Sequence, residues 1–400
     1  MIAHSSDYRN HILTSPHIKT YIRIDLYDSL DNKLLDSIED EINKDSIGTI
    51  NVSGDSDIRR TFSFAFNNIS GKYTWGAGNL LWTDKKVKVY KGIQLNVKVN
   101  GERVIEYLPQ GEFLLTNLKG NSNINDIPVT IVEGKDKAHY YTGKNGKFET
   151  ATNVATGTDI KAAIKTIANR ETKFLFDNID AGFELTRRNM DWDAGENRWT
   201  AIKDLADMAN CDIYYDVNGY LRLKVKKSDW SQDSPIWEFT NEVTEDNKYN
   251  VNYYAGGYRE LKLNEFYNHI IVLGGSTDEI ATVRLEEKID DTLPEYENNP
   301  YSIQKIGHRI YFHNGGNPDP NILTVPEAQW RMDFEKNKRM AITEEIGINI
   351  FPLDFLEIGD VIKATDVKNG TSENYIVRNF SVPGIPVLMP VIGEKITKVI

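Results

Sequence analysis

The chain has 400 residues, of which 40% are hydrophobic and 10% aromatic, so two or three domains with hydrophobic cores are expected. Its 59 acidic side chains outnumber 47 basic ones, and the net charge of −12 argues against a protein that grips nucleic-acid phosphates. The single cysteine, Cys211, excludes an intrachain disulfide, and no apolar stretch approaches the roughly 18 residues of a stable membrane span.

The first predicted region is a β-barrel over residues 19–140, preceded by a polar arm over residues 1–18. The arm has no apolar signal core, so the protein is expected to be made in a cytoplasm. Apolar alternation begins at residues 22–26, which is typical of a strand with one buried face. The clearest strand is residues 61–66, where three Phe alternate with Thr, Ser and Ala.

The middle region, residues 141–250, is predicted to be an α+β domain. Helical spacing of apolar residues follows Thr158, a suitable N-cap, and appears again over residues 199–209. The Asn-Gly dipeptide at 218–219 predicts a β-hairpin, because this dipeptide suits a type I′ turn.

The last region, residues 251–400, is predicted to be a second β-barrel domain with an inserted loop and a helix over residues 325–340. Thr324 and Glu327 have the spacing of a capping box, with Pro326 in the first turn, which marks the start of this helix. The expected fold class is mainly β with an α+β middle region. Two small antiparallel β-barrels would carry the helical and α+β insertions.

Two segments near opposite ends of the chain are built in the same way. Residues 82–136 and residues 347–381 each contain strands, a Gly-containing turn and a closing strand that ends in polar residues. One chain therefore carries two similar β modules, and three chains would present six of them in a ring. Six modules in a trimer favour a symmetry adaptor, a protein that joins rings of different symmetry, over an enzyme.

The sequence contains none of the common catalytic motifs of hydrolases, metalloproteases or nucleotide-binding proteins, and no cofactor or metal is expected. Asp191 and Asp193, with Glu184 upstream, are the candidates for a glycosidase carboxylate pair, although an Asx-turn or a capping role is the simpler interpretation. His308 and His313 are five residues apart on a predicted strand. They should face opposite sides and not share a metal ion.

An acidic segment over residues 286–297 carries six carboxylates. Its simplest interpretation is a solvated loop. The alternative is that it lines a channel through which a polyanion passes without binding, because like charges discourage adhesion. The candidate channel-lining residues are Glu286, Glu287, Asp290, Asp291, Glu295 and Glu297.

Several motifs follow the first predicted barrel in a definite order. They are Trp199-x-x-Ile-x-x-Leu-Ala-x-Met-Ala209, Asp216-Val-Asn-Gly219, Gly307-His-Arg-Ile310, the helix over residues 325–340, and Leu356-Glu-Ile-Gly-Asp-Val-Ile-Lys-Ala-Thr-Asp366. In this order of elements the chain resembles the central hub proteins of bacteriophage tails. These are the baseplate hubs and the amino-terminal hub part of tail-associated lysins.

The resemblance implies a homotrimer whose paired barrels form a pseudo-sixfold ring beneath a hexameric tail tube. The implied partners are the tail tube or distal tail protein, the tape measure protein, and a central spike, fibre or lysin. DNA would pass through the ring without specific binding. The protein would belong to the tail tip of the virion after assembly in the host cytoplasm.

Enzymatic activity is not expected of this chain. The resembling family often carries a peptidoglycan-degrading domain after the hub, whereas this sequence ends directly after the second β module. Any cleavage of the cell wall is therefore expected to reside in another protein.

Two other functions stay open at this point. A cell-wall glycan hydrolase of the tail tip would need Asp191 and Asp193 to converge in a cleft. A peripheral receptor- or carbohydrate-binding tail protein would need an exposed aromatic platform, for which Trp75 and Trp82 are the first candidates.

Overall fold

The structure is a computed structural model, and it describes all residues except 16, 30–31, 40–41, 43–47, 122–126, 181, 228, 244–250, 276–281, 342, 386 and 396–400. The fold is mainly β, as predicted. The amino-terminal part consists of α1 (Ser6–Thr14), β1 (Thr20–Asp28), β2 (Leu34–Ile38), β3 (Thr49–Ser53), β4 (Arg60–Asn67), β5 (Lys85–Val99), β6 (Glu102–Asn121) and β7 (Val129–Asp136).

The middle part combines short strands with two helices. Its elements are β8 (Thr152–Val154), α2 (Ile160–Ile167), β9 (Phe174–Phe176), β10 (Met190–Trp192), α3 (Arg198–Met208), β11 (Cys211–Tyr215) and β12 (Leu221–Val225). The carboxyl-terminal part consists of β13 (Trp237–Thr240), β14 (Tyr254–Leu261), β15 (His269–Gly274), β16 (Val283–Lys288), α4 (Ile303–Ile306), β17 (Ile310–Phe312), α5 (Val325–Arg339), β18 (Glu344–Ile350), β19 (Val361–Asp366), β20 (Thr371–Pro383) and β21 (Met389–Lys395).

The first residues include a helix, which corrects the prediction of a polar arm. Ser5 caps α1 by accepting a hydrogen bond from the backbone N–H of Tyr8 at 3.0 Å. Tyr8 and Ile12 lie four residues apart on one helix face, and both are buried in the main core together with Ile2. Two apolar residues at helical spacing thus decide the conformation of a segment whose average composition is polar.

One large sheet dominates the described structure and contains thirteen strands. Its main path runs β14-β18-β21-β20-β3-β4-β7-β6-β5-β1-β2, while β19 pairs with both β20 and β13. The strand predicted from alternating Phe residues is confirmed as β4, in which Phe62, Phe64 and Phe66 are at most 2% exposed. Their rings fill the space between this sheet and the elements that cover it.

The middle region differs from the prediction in two local details. Asp159, rather than Thr158, caps α2. β11 and β12 form the predicted hairpin, but its turn is not a two-residue type I′ turn. The carboxylate of Asp216 accepts hydrogen bonds from the backbone N–H groups of Asn218 and Tyr220, both at 2.9 Å, and the connection extends over residues 216–220.

A small sheet, β16-β15-β17, packs against α5 and has a hydrophobic core of its own. We refer to residues 263–341, which contain these elements, as the loop module. The predicted helix over residues 325–340 is confirmed as α5. It starts at the predicted capping box, where the backbone N–H of Thr324 donates to the carboxylate of Glu327 at 2.9 Å.

A buried charge cluster holds the middle region against the amino-terminal strands. Glu112 on β6 is 2% exposed and lies 2.9 Å from Nζ of Lys86 and 3.2 Å from Nζ of Lys173. Beside it, Lys137 pairs with Glu171 at 2.6 Å. Burial acts to raise the pKa of Glu112, but the surrounding lysines outweigh burial and hold this pKa below its ordinary value.

The pairing of β3 with β20 joins the amino- and carboxyl-terminal strands in one sheet through five residue pairs. Buried polar groups lie near this junction. The guanidinium of Arg60, 1% exposed, contacts Glu357 and donates to the carbonyl of Gln110 at 3.4 Å. Nζ of the buried Lys91 donates to two consecutive carbonyls, residues 383 and 384, at 3.0 and 3.2 Å. The two predicted β modules therefore share a sheet and a core, while their closure as barrels and the domain boundaries stay predictions.

We expect Arg60→Met to destabilise the protein by about 2–4 kcal/mol, because it leaves Glu357 largely buried without its cation. The midpoint of denaturant-induced unfolding measures this loss. The control is Lys203→Met, which removes the exposed ion pair with Asp57 and should cost less than about 1 kcal/mol. Equal midpoint shifts for the two variants would contradict a stabilising role of the junction.

Candidate functional site

The predicted acidic segment lies in the loop module, on β16 and on the connection from β16 to α4. Glu286 and Glu287 are consecutive residues of β16, so their side chains point to opposite faces of the small sheet. Asp290 and Asp291 follow the end of the strand, and Glu295 and Glu297 lie further along the connection. The six carboxylates therefore do not form one continuous acidic face.

Glu286 and Glu287 are both engaged by neighbouring side chains. Glu286 accepts a hydrogen bond from Arg284 at 2.8 Å and lies 3.0 Å from Nε2 of His269. Glu287 accepts from Nζ of Lys336 at 2.7 Å and from the hydroxyl of Tyr296 at 2.9 Å. Arg284 lowers the pKa of Glu286. Burial acts to raise the pKa of Glu287, but Lys336 and Tyr296 outweigh burial and lower it.

Asp290 and Asp291 accept hydrogen bonds from nearby residues of the connection between β16 and α4 and from the start of α4. Oδ1 of Asp290 accepts from the backbone N–H and the hydroxyl of Thr292, at 3.1 and 2.6 Å, and also contacts Gln304. These hydrogen bonds lower the pKa of Asp290 to about 2. Asp291 accepts a hydrogen bond from the hydroxyl of Ser302 at 3.3 Å. Both carboxylates thus stabilise the local fold.

Glu295 and Glu297 differ from the other four carboxylates. Both side chains are exposed, and among the described residues neither has a hydrogen-bond or ion-pair partner. Glu295 and Glu297 are therefore the two members of the predicted set that solvent or a passing ligand can contact as unpaired charges. The assignment of all six carboxylates to a channel lining stays a prediction. Its main support comes from Glu295 and Glu297.

A second charged network lies in the core of the loop module and was not foreseen from the sequence. Nε2 of His313 lies 2.8 Å from Asp319, and its Nδ1 lies 3.4 Å from Glu335. Glu335 also accepts from Arg339 at 2.7 Å. Burial acts to lower the pKa of His313, but hydrogen bonds to Asp319 and Glu335 outweigh burial and raise it. His313 and Arg339 outweigh burial at Glu335 and lower its pKa to about 2.

The two candidate histidines have different partners, but neither lies on a strand as predicted, since His308 precedes β17 and His313 follows it. His313 belongs to the buried network, whereas His308 lies beside His269, with 3.3 Å between their Nδ1 atoms. Among the described residues, no group of three or more His, Cys, Asp or Glu side chains is arranged to hold a metal ion.

The carboxylates considered for hydrolysis have local structural contacts. Asp191, on β10, accepts from the side-chain amide of Asn153 at 2.6 Å. The backbone N–H of Asp193 donates to Glu196 at 2.8 Å, and the carboxylate of Glu184 accepts from the backbone N–H of residue 182 at 2.8 Å. Asp191 and Asp193 are exposed. Asp191 thus makes a cross-strand contact, and the carboxylate of Glu196 rather than that of Asp193 accepts from the turn, so the turn and capping roles of Asp191 and Asp193 stay a prediction.

The aromatic candidates for receptor binding lie on the connection between β4 and β5. Trp75 is 39% exposed, and its ring lies over Gly120, where an added Cβ would come within 2.5 Å. Trp82 is half-buried. Trp75 therefore offers part of one ring to solvent, and Trp82 offers less.

A cleft of about 750 Å³ lies between the connection from β3 to β4, the middle region, α5 and the strands β20 and β21. Its aromatic rings are already covered by cations: the guanidinium of Arg59 is 3.6 Å from the ring centre of Tyr214, and that of Arg378 is 5.6 Å from Trp230. The walls of this cleft come from segments that are distant along the chain, so no local sequence pattern indicates it.

Comparison with known proteins gives matches at the level of structure. No protein-family model matches the sequence, and no curated protein matches it. A tail protein from Neisseria meningitidis is 12% identical with a TM-score of 0.59, covering 94% of this chain and 96% of that chain. A prophage tail protein from Listeria monocytogenes is 13% identical with a TM-score of 0.56, covering 94% of each chain.

A third match is the 43 kDa tail protein of prophage MuSo2 from Shewanella oneidensis, which is 11% identical with a TM-score of 0.52. The match covers 94% of this chain and 98% of that chain. The predicted resemblance to phage tail proteins is thus confirmed as a likeness of fold over nearly the whole chain. The link to tail-associated lysins stays a prediction.

None of the helices in the described part of the chain is both long enough and apolar enough to cross a membrane.

We expect the network around His313 to stabilise the protein most between pH 4.5 and pH 6.5, the ordinary pKa values of Glu and His. The pKa of His313 is raised, so its contribution is complete below pH 6.5 and is lost as pH rises through the folded value. The pKa of Glu335 is lowered, so its contribution is lost as pH falls below 4.5.

Calorimetric unfolding of the wild type and of His313→Gln measures the effect, over a pH range that extends beyond this window on both sides. The difference between their unfolding temperatures should be largest inside the window and smaller on both sides. The control is His17→Gln, at an exposed histidine, which should follow the wild type. A difference that does not change with pH would show that His313 contributes through packing alone.

Proposed function

We propose that this chain is a structural hub of a bacteriophage tail tip, and that it acts as a homotrimer without enzymatic activity. The observation that most supports the proposal is the shared fold with three tail proteins, each covered over at least 94% of its length. Because the similarity of fold covers nearly the whole chain, no large part of the molecule is left for a separate catalytic domain. This favours a structural role that uses the whole chain.

The joined β modules supply a physical reason for a trimer. Each chain contributes two modules to one sheet, so three chains contribute six and can meet a sixfold ring of tail tube proteins. Three strands of the described sheet, β14, β13 and β2, each pair with one other strand, and an isolated bridge between Thr240 and Tyr253 joins the end of β13 to the start of β14. Most of β14 is exposed, including Leu261 at 51%. Contacts between copies at such edges would cover backbone groups that otherwise invite unspecific pairing.

The proposed partners follow from the position of a hub. The ring would contact the tail tube or distal tail protein on one side and a central spike, fibre or lysin on the other, with the tape measure protein above the channel. The protein would be assembled in the host cytoplasm and carried in the virion. DNA would pass through the ring without specific binding, which suits an acidic protein.

The acidic segment has a narrower role in this proposal than the sequence indicated. Glu286, Glu287, Asp290 and Asp291 hold the loop module together through their own partners. Glu295 and Glu297, both exposed, would face the channel and discourage phosphate groups from adhering.

We expect native mass spectrometry of the purified protein at micromolar concentration to give a mass of three chains. Leu261→Asp places a charge on the exposed edge strand β14 and should shift the mass distribution towards single chains. The matched control is Leu185→Asp in the middle region, where Leu185 is 49% exposed and should not affect assembly. A wild type that stays monomeric, alone and in the tail tip, contradicts the proposed trimer.

We expect reversal of charge at Glu295 and Glu297, both to Lys, to slow DNA ejection from the phage while tails still assemble. Lysines in the channel would bind phosphates of the passing DNA. The control is the same reversal at Glu149 and Glu242, two exposed carboxylates outside the loop module. If phages with both residues changed eject DNA at the wild-type rate, the loop does not line the channel.

A further inference from the structure

Two histidines of the loop module lie side by side at its surface. His269 is on β15 and is 7% exposed, whereas His308 precedes β17 and is exposed. Their Nδ1 atoms are 3.3 Å apart, and the rings are tilted by 52° with their centres 5.4 Å apart. The two Nδ1 atoms therefore face each other, and the exposed ring of His308 leaves the pair at the border of solvent.

The backbones that carry these rings are fixed by the fold. His269 is paired with Lys288 of β16 and with Ile310 of β17. The fully buried Asn268 accepts from the backbone N–H of Arg309 at 2.8 Å and donates to the carbonyl of Gly307 at 2.9 Å. This single side chain holds the residues on both sides of His308. The backbone on both sides of the pair is thus held by sheet pairing and by a buried hydrogen-bond network.

The neighbouring carboxylate of Glu286 determines which ring nitrogen atoms of the two histidines carry protons. Oε1 of Glu286 lies 3.0 Å from Nε2 of His269. An ionised carboxylate only accepts hydrogen bonds, so Nε2 of neutral His269 carries the proton and its Nδ1 carries a lone pair. Nδ1 of His308 then donates to this lone pair. A carboxylate behind the distal nitrogen of a histidine is also the usual outer contact of a metal-binding histidine.

We propose that His269 and His308 bind one divalent transition-metal ion of the zinc class through their Nδ1 atoms. Zinc–nitrogen bonds of about 2.0–2.1 Å at a tetrahedral angle place two ligand nitrogens about 3.3 Å apart, which matches the distance in the structure. His308 provides its lone pair by carrying its proton on Nε2 instead of Nδ1. Water completes the coordination, because the protein supplies two ligands and not the three or more of a closed site.

The ion would link the segment before β17 to the centre of the small sheet. Imidazole ligands favour zinc, copper and nickel over magnesium and calcium, which prefer oxygen. The site thus uses imidazole ligands, and one residue of the acidic segment, Glu286, serves as the outer contact of His269. It does not depend on the proposed hub function, since both histidines belong to one chain.

Calorimetric titration of the full chain with ZnCl₂ near neutral pH tests the proposal. We expect saturable binding of one ion, and no binding when MgCl₂ replaces ZnCl₂. His308→Ala should abolish this binding, and Glu286→Gln should weaken it about 10–100-fold, because the outer carboxylate orients His269. His17→Ala removes another exposed histidine and should bind zinc like the wild type.

Two results would overturn the proposal. One is the absence of saturable zinc binding by the wild type. The other is equal zinc affinity of the wild type and His308→Ala, which would mean that the pair forms a hydrogen bond only. Thermal unfolding of each variant without metal shows whether a lost affinity reflects a lost ligand or a damaged module. An unfolded His308→Ala would be replaced by His308→Asn, with the same expected loss of binding.

Discussion

The pairing of β3 with β20 is the contact on which the rest of the structure depends. It brings together residues about 330 positions apart, such as Asn51 and Ser381, whose side chains are 2.6 Å apart. Closing so long a loop costs conformational entropy, and five backbone pairs alone would offset little of it. The common core and the buried contacts of Arg60 and Lys91 supply the remaining stabilisation. The middle region and the loop module extend from the frame that this contact creates.

Local features of the fold were predictable where the pattern of residues is compatible with a single type of secondary structure. The alternating Phe residues of β4 and the capping box of α5 are of this kind, because period-two burial and cap spacing are read directly from sequence. The helix at the start of the chain was missed because its average composition is polar, although Tyr8 and Ile12 fit one helix face. The turn after β11 was missed because Asp216, outside the Asn-Gly dipeptide, determines its length.

The candidate site was harder to predict because its chemistry depends on partners from other segments. The charges over residues 286–297 indicate a solvated loop or, as the alternative, the lining of a channel. In the structure, Lys336 reaches Glu287 from α5, and Gln304 reaches Asp290 from α4, so these carboxylates act in folding. Neither contact follows from sequence spacing, since each requires knowledge of how a helix packs on the small sheet. The closeness of His269 and His308 has the same origin, because it depends on β15 pairing with β17.

The central claim is that two β modules, joined in one chain and repeated by threefold symmetry, form a collar that matches a sixfold tail tube. A density map of the assembled tail tip tests it most directly. The account predicts three copies around one axis, with the amino- and carboxyl-terminal modules alternating at similar radius in a ring of six. A map with another number of copies, or with one of the modules far from that ring, would contradict it.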